Sequence, residues 1–268
     1  MKDPLALSYG MGVDSTAVLV GWWRRGIRPH WIGHAQVGNE WPETYAYRPV
    51  IDAWLAEVGF PTITDVQYRL KKKPKHGHYE TLEENCLVNA TLPSLAFGYK
   101  KCSLKWKGEP LDAACKDYFA AHIAAGGKVQ RAIGYDAGPC DSRRGGVETK
   151  GPWSWIYPLR EWGWDRERCI AEIARAGLPI PPKSACTFCP STKPAELIQL
   201  AKKHPDLARR AIVLEDRARP YLTKIEGLWG TGTKGTRGGE KKPGSWRAFL
   251  AEHAPEVLPD LPPEDRAA

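Results

Sequence analysis

Ser8-Tyr9-Gly10-Met11-Gly12-Val13-Asp14-Ser15-Thr16 is the stretch on which the fold turns. It follows a short apolar run, residues 5–7, that reads as a strand. It opens a second apolar run, about residues 15–25, that reads as a helix. The glycines at 10 and 12 let the backbone turn sharply and come close to a ligand. A helix that starts directly after such a turn presents free N–H groups and the positive end of its dipole, and these bind phosphate. Ser8, Ser15 and Thr16 add hydroxyl groups, and Asp14 can sit beside a magnesium ion or orient a phosphate. No Lys precedes Ser15, so this is not a Gly-Lys-Ser P-loop, and it is not the dinucleotide G-x-G-x-x-G either.

The same strand–turn–helix alternation continues outward. Residues 31–37, 62–68, 129–135 and 155–159 read as strands, and 43–58, 81–92, 111–125 and 165–176 as helices. Repeated alternation of this kind predicts an α/β fold: an open parallel sheet with helices on both faces. The Gly- and Arg-rich residues 136–153 form a long loop, a kind that is often functional. Residues 193–225 read as helical, 227–244 as a Gly/Lys-rich connection and 245–253 as a last amphipathic helix. The expected division is a nucleotide-binding domain at 1–192 and a small, mostly helical extension at 193–268.

Composition sets outer bounds. The 268 residues are 42% hydrophobic and 26% charged, which suits a globular chain and excludes a collagen-like or wholly disordered one. No apolar stretch is long enough to span a bilayer, and the first ten residues lack a secretory apolar run, so a cytoplasmic location without membrane attachment is expected. Lys and Arg number 39 against 31 Asp and Glu, a net charge of +8 that suits a polyanionic partner. The excess is concentrated at residues 69–76, RLKKKPKH, and 234–242, KGTRGGEKK. The 12 tryptophans are read chiefly as packing residues.

Three further segments join the first loop in a family resemblance. On Asp14-Ser15 the loop aligns with the S-G-G-x-D-S pyrophosphatase loop of the adenine-nucleotide α-hydrolase (PP-loop) superfamily, with Met11 in place of the first glycine. Val37-Gly38-Asn39-Glu40-Trp41-Pro42-Glu43-Thr44 resembles the D-T-G-x-x-F-P-E-T segment of the phosphoadenosine-phosphosulfate (PAPS) reductase family. Gly134-Tyr135-Asp136-Ala137, followed by Arg143-Arg144, falls where that family has G-x-R-x-x-E-S-x-x-R, and Tyr157-Pro158-Leu159-Arg160-Glu161-Trp162 resembles its N-P-L-x-D-W strand. The resemblance covers about residues 5–190. It implies a HUP-like sheet, ATP and Mg2+ as cofactors, and roles for individual residues. Ser8, Gly10, Gly12, Asp14, Ser15 and Thr16 would hold the nucleotide phosphates, Asn39, Gly134, Tyr135 and Asp136 would flank adenosine, and Arg143 and Arg144 would face phosphate or a second substrate. Asp14, Ser15 and Arg143 are the catalytic candidates.

Seven cysteines, at 86, 102, 115, 140, 169, 186 and 189, form an odd set that argues against a disulfide framework. Cys186-Thr187-Phe188-Cys189 is a C-x-x-C whose two thiolates can reach one metal or cluster. Cys102 lies where cluster-bearing sulfonucleotide reductases have an adjacent cysteine pair, so the resemblance implies a four-iron cluster on Cys102, Cys186 and Cys189 with one iron open. Zinc is the alternative for the same ligands, a redox pair and unligated thiols are the others, and Cys140 is a candidate fourth ligand. Cys86, Cys115 and Cys169 fall on helices and read as small core residues.

Together these readings imply an ATP pyrophosphatase that adenylates an acceptor, for sulfur transfer to a nucleotide or to a nucleic acid such as tRNA or DNA. The metal centre and a sulfur-donor protein would supply the sulfur. The rivals are a sulfonucleotide reductase, whose nucleophilic C-terminal cysteine has no counterpart after Cys189, and a non-catalytic nucleotide-binding subunit.

Overall fold

The computed structural model describes residues 3–142, 144, 146, 151–232 and 242–258. Its strands are β1 (Leu5–Ser8), β2 (Trp31–Gln36), β3 (Ile63–Gln67), β4 (Val129–Ala132) and β5 (Trp153–Ile156). Its helices are α1 (Val13–Arg24), α2 (Pro42–Glu57), α3 (Leu82–Val88), α4 (Lys101–Ser103), α5 (Glu109–Tyr118), α6 (Ala120–Ala124), α7 (Pro139–Ser142), α8 (Pro158–Glu161), α9 (Arg166–Arg175), α10 (Pro194–Lys203), α11 (Pro205–Ala218) and α12 (Trp246–His253). Packing groups the chain into two compact units whose pieces interleave, where the sequence reading divides it once after residue 192. The first unit is Met1–Gln36, Glu40–Tyr68 and Trp106–Ser184, and the second is Val37–Asn39, Arg69–Lys105 and Ala185–Ala268.

The first unit holds the sheet. Its five strands are all parallel in the order β3-β2-β1-β4-β5. Side chains alternate across a strand, so β1 sends Leu5 and Leu7 to one face and Ala6 to the other. Leu5 and Leu7 join Val18, Trp22, Ile51, Leu55 and Ile173 in the larger apolar layer, with α1, α2 and α9. Ala6 joins Trp31, Ala35, Leu111, Cys115 and Val129 in the second layer, under α5. A parallel strand covered on both faces needs an unbroken apolar run, and Leu5-Ala6-Leu7 is one.

Several boundaries differ from the sequence reading. The expected strand at 155–159 lies at Trp153–Ile156, because Pro158 opens a helical turn as its first residue. The expected helix at 111–125 is two helices meeting at Phe119, and the expected loop at 136–153 contains α7. β4 ends at Ala132, which leaves Gly134 to Asp136 beyond its carboxyl end.

The second unit is mostly helical. α3 starts with a capping box in which Thr81 and Glu84 satisfy each other's backbone N–H groups. The buried Glu215 of α11 accepts from the N–H groups of Leu228 (2.8 Å), Trp246 (2.9 Å) and Arg247 (2.8 Å) and from the Ser245 hydroxyl (2.6 Å). Gly227 admits this carboxylate, since a Cβ there would sit 2.0 Å from Glu215 Oε1. Eight tryptophans of the two units are buried, as expected of packing residues. Among the described residues no helix is long and apolar enough to cross a membrane.

Candidate nucleotide and metal-binding residues

In the first unit, β1 lies between β2 and β4, and the chain order reverses across the β1–β4 pair. The crevice outside the carboxyl ends at such a point is where open parallel sheets bind ligands. The 8–16 loop occupies it. Tyr9 extends β1 by donating its N–H to the Gly33 carbonyl (2.7 Å). Met11 then takes a left-handed backbone (φ 54) while its side chain is fully buried. Gly12 is the N-cap of α1 and brings no capping side chain. Ser15 braces the turn, donating to the Gly12 carbonyl (3.2 Å) and accepting from the Gly10 N–H (3.3 Å).

Two of the expected phosphate hydroxyls are otherwise engaged. Thr16 is fully buried, and its hydroxyl pairs with the Tyr9 phenol at 3.0 Å. The reason is helical phase: Thr16 lies on the side of α1 that covers the sheet. Burial holds the Tyr9 and Tyr47 phenols well above their ordinary range, Tyr47 at about 12, so both stay neutral. Ser8 accepts a hydrogen bond from Arg131 (2.9 Å), a buried guanidinium within 5 Å of the Trp153 and Trp155 ring centroids (4.9 and 4.8 Å) and paired with Asp112.

The loop instead contributes a carboxylate. Asp14, Asp136 and Asp141 bring one oxygen each to within 4.8 Å of the others, the one such group of three His, Cys, Asp or Glu side chains among the described residues. Asp14 comes from the first turn of α1, Asp136 from the segment after β4, and Asp141 from α7. Gly134 makes this approach possible, because a Cβ there would lie 3.1 Å from the backbone of Asp14 and of Ser15. Asp136 is aimed by the Gly138 N–H (2.8 Å). Arg166 pairs with Asp14 (2.8 Å) and Arg144 with Asp141 (2.9 Å). Burial raises the Asp14 carboxyl above its usual value, opposed by Arg166 and reinforced by Asp136 and Asp141. A set of carboxylate oxygens is the chemistry that hard cations such as Mg2+ take up together with substrate phosphates.

Beside these acids, Tyr135 and Tyr157 stack with ring centroids 5.8 Å apart, and Arg160 lies over both rings at 5.1 Å. Sequence reasoning passed over Asp141, Arg166 and Ser184. Asp141 carried a readable signal, a second acid in a Gly-Pro turn five residues after Asp136. Arg166 and Ser184 carried none, since each reaches the loop only through tertiary packing. The Ser184 hydroxyl lies against the Gly10 carbonyl and the Glu40 carboxylate, itself buried and paired with Lys107. Arg143 lies outside the described residues, as do 234–241 and the side chain of Cys140.

The second unit holds Cys102, Cys186 and Cys189, all partly buried. Cys102 lies in α4 and donates its N–H to Ser94 Oγ (2.6 Å). Cys186 and Cys189 are the ends of a turn closed by the Cys189 N–H on the Cys186 carbonyl (3.1 Å). No three of the described thiols come within 4.8 Å of one another. Tetrahedral zinc with Zn–S bonds of ~2.3 Å would hold its sulfurs about 3.8 Å apart. A cluster seats each thiolate on a different iron and spaces them more widely. Asn39, expected beside adenosine, belongs to this unit and bonds Glu83 and Thr187. Of the helical thiols, burial raises Cys115 to about 11 and Cys169 to about 12, and it also raises Cys86. The basic run bears exposed Lys71, Lys72, Lys73 and Lys75.

No protein-family model matches the chain, and no curated protein matches it.

Proposed function

We propose that the chain is a PP-loop enzyme of the PAPS reductase-like family, with a HUP-like sheet, that binds ATP and adenylates an acceptor oxygen. The observation that carries this reading is the meeting of Asp14, Asp136 and Asp141 at the carboxyl ends of β1 and β4, beside a helix start with no capping side chain. The first-turn N–H groups of α1 would bind the phosphates of ATP. The three carboxylates would hold Mg2+, and when bound this ion supplies positive charge to the leaving pyrophosphate. Ser15 and Ser184 keep the loop in shape, and Arg166 keeps Asp14 aimed. In the reaction the acceptor oxygen forms a bond to the α-phosphorus, the bond to the bridging oxygen of the β-phosphate breaks, and pyrophosphate departs. A nucleophile such as sulfide then displaces AMP from the adenylated acceptor.

Cys102, Cys186 and Cys189 fit a thiophilic centre by donor chemistry, an iron–sulfur cluster with zinc as the alternative. Such a centre, when bound, would supply the sulfur or redox chemistry of the second step. The exposed lysines between 71 and 75 suit a nucleic-acid acceptor. Calorimetry with ATP and GTP in the presence of Mg2+ tests the first step. ATP preference with pyrophosphate as product is the expected result. A folded chain that binds no ATP, or that releases orthophosphate, would sink the proposal.

A further inference from the structure

The helical pattern of residues 81–92 makes Cys86 a core residue, and it is 1% exposed. Its surroundings are nevertheless unlike those of the other two helical thiols. Asn39 ties the C-x-x-C turn to α3: its carbonyl accepts from the Thr187 N–H (2.9 Å), its Oδ1 accepts from the Glu83 N–H (3.4 Å), and its amide nitrogen donates to the Glu83 carboxylate. Thr187 directly follows Cys186, and Glu83 lies three residues before Cys86, on the same helix face. Asn39 therefore holds the C-x-x-C turn at the face of α3 that carries Cys86. On the Cys102 side, the Cys86 carbonyl accepts from the Thr91 N–H (2.9 Å), which turns the chain back, and Ser94 Oγ then fixes the Cys102 backbone (2.6 Å). Burial raises the Cys86 thiol, and Cys186 and Cys102 add to the rise, whereas the groups acting on Cys115 and Cys169 include no thiol.

We propose that Cys86 is a ligand of the metal centre, completing with Cys102, Cys186 and Cys189 a four-thiolate site for an iron–sulfur cluster. The inference rests on the reading of the second unit as metal-binding. Its consequence is chemical. Four thiolates give each iron of a four-iron cluster a protein ligand, so no iron stays open to carry sulfide. The sulfur used in the second step then comes from a separate donor.

The test uses the full chain, purified anaerobically and reconstituted with ferrous iron and sulfide. Iron, sulfide and zinc are assayed and the visible spectrum recorded for wild type, Cys86→Ala, Cys86→Ser, Cys102→Ala and Cys115→Ala. Cys86→Ala is expected to lose the bound iron as completely as Cys102→Ala does, while Cys115→Ala keeps the wild-type content. Cys86→Ser, nearly isosteric, keeps the fold by circular dichroism and gives a shifted spectrum with less iron. Full iron in Cys86→Ala beside its loss in Cys102→Ala would overturn the role of Cys86 and leave the three-thiolate reading standing. Zinc in place of iron would overturn the cluster, and a wild type that takes up no metal would overturn the reading beneath it as well.

Discussion

Replacing Met11 by glycine should destabilise the protein, although glycine is what the resembled loop carries at that position. Met11 has a left-handed backbone, φ 54, which costs a residue with a Cβ about 1–2 kcal/mol. Relief of that cost is the only gain glycine brings. Against it stands the side chain, fully buried in the large apolar layer with Tyr9, Val13 and Leu159. Truncating a buried Met costs about 2–5 kcal/mol, and the extra freedom of glycine in the unfolded chain adds about 0.5–1 kcal/mol. The balance is a loss of about 2–3 kcal/mol. With a urea dependence of about 2–3 kcal/mol/M, the unfolding midpoint should fall by about 1 M. Tryptophan fluorescence reports it, since Trp22 lies in the same layer. Met11→Ala keeps the backbone cost as well as losing the packing, so its midpoint should be at or below that of Met11→Gly. A Met11→Gly chain as stable as the wild type would show that backbone geometry alone holds this loop and that the packing argument is wrong.

Asp14 gives a pH signature. Its folded-state pKa is raised above the unfolded value of 3.8 by burial, so the folded chain binds this proton more tightly. The contribution is full below 3.8 and is lost as pH rises through the raised value. The difference in unfolding free energy between wild type and Asp14→Asn should change with that sign across this window, and a flat difference would contradict it. Mg2+ binding by calorimetry should strengthen over the same rise in pH and disappear in Asp14→Asn. Glu215→Ala should orphan two buried N–H groups, a half-buried one and a hydroxyl and cost more than about 3 kcal/mol in denaturant unfolding. Gly227→Ala should approach that loss, because its Cβ would displace the same carboxylate. Neutralising Lys71, Lys72, Lys73 and Lys75 to Gln should flatten the salt dependence of RNA or DNA binding, by up to roughly 0.9 in logarithmic slope for each lysine that meets a phosphate. An unchanged slope would remove this run from the interface.

Much of the architecture was legible because it is local. Leu5-Ala6-Leu7 followed by a Gly-x-Gly turn and an apolar helix identifies a buried strand and its crossover from neighbouring residues alone, and the alternation of strands and helices then implies a parallel sheet. Helix starts were readable where a short-range device marks them, as in Thr81–Glu84 or Asp165 with the Arg168 N–H. Strand ends were less so, because a strand stops where its neighbour's hydrogen bonds stop, and Ala132 carries no mark of that. In the site, the sequence shows that Thr16 and Ser8 have hydroxyls but not which way they face. Helical phase against the sheet turns Thr16 toward Tyr9, and Arg131, from a strand distant in sequence, takes Ser8. Chain order likewise says nothing of Asp14 meeting Asp136 and Asp141, or of α3 carrying Cys86 toward the C-x-x-C turn. Such meetings depend on side-by-side pairing of distant strands and on helix packing, in which a glycine such as Gly134 decides how closely two backbones approach. Residue type and spacing determined which chemistries the chain has available, and tertiary packing decided which of those groups share a site.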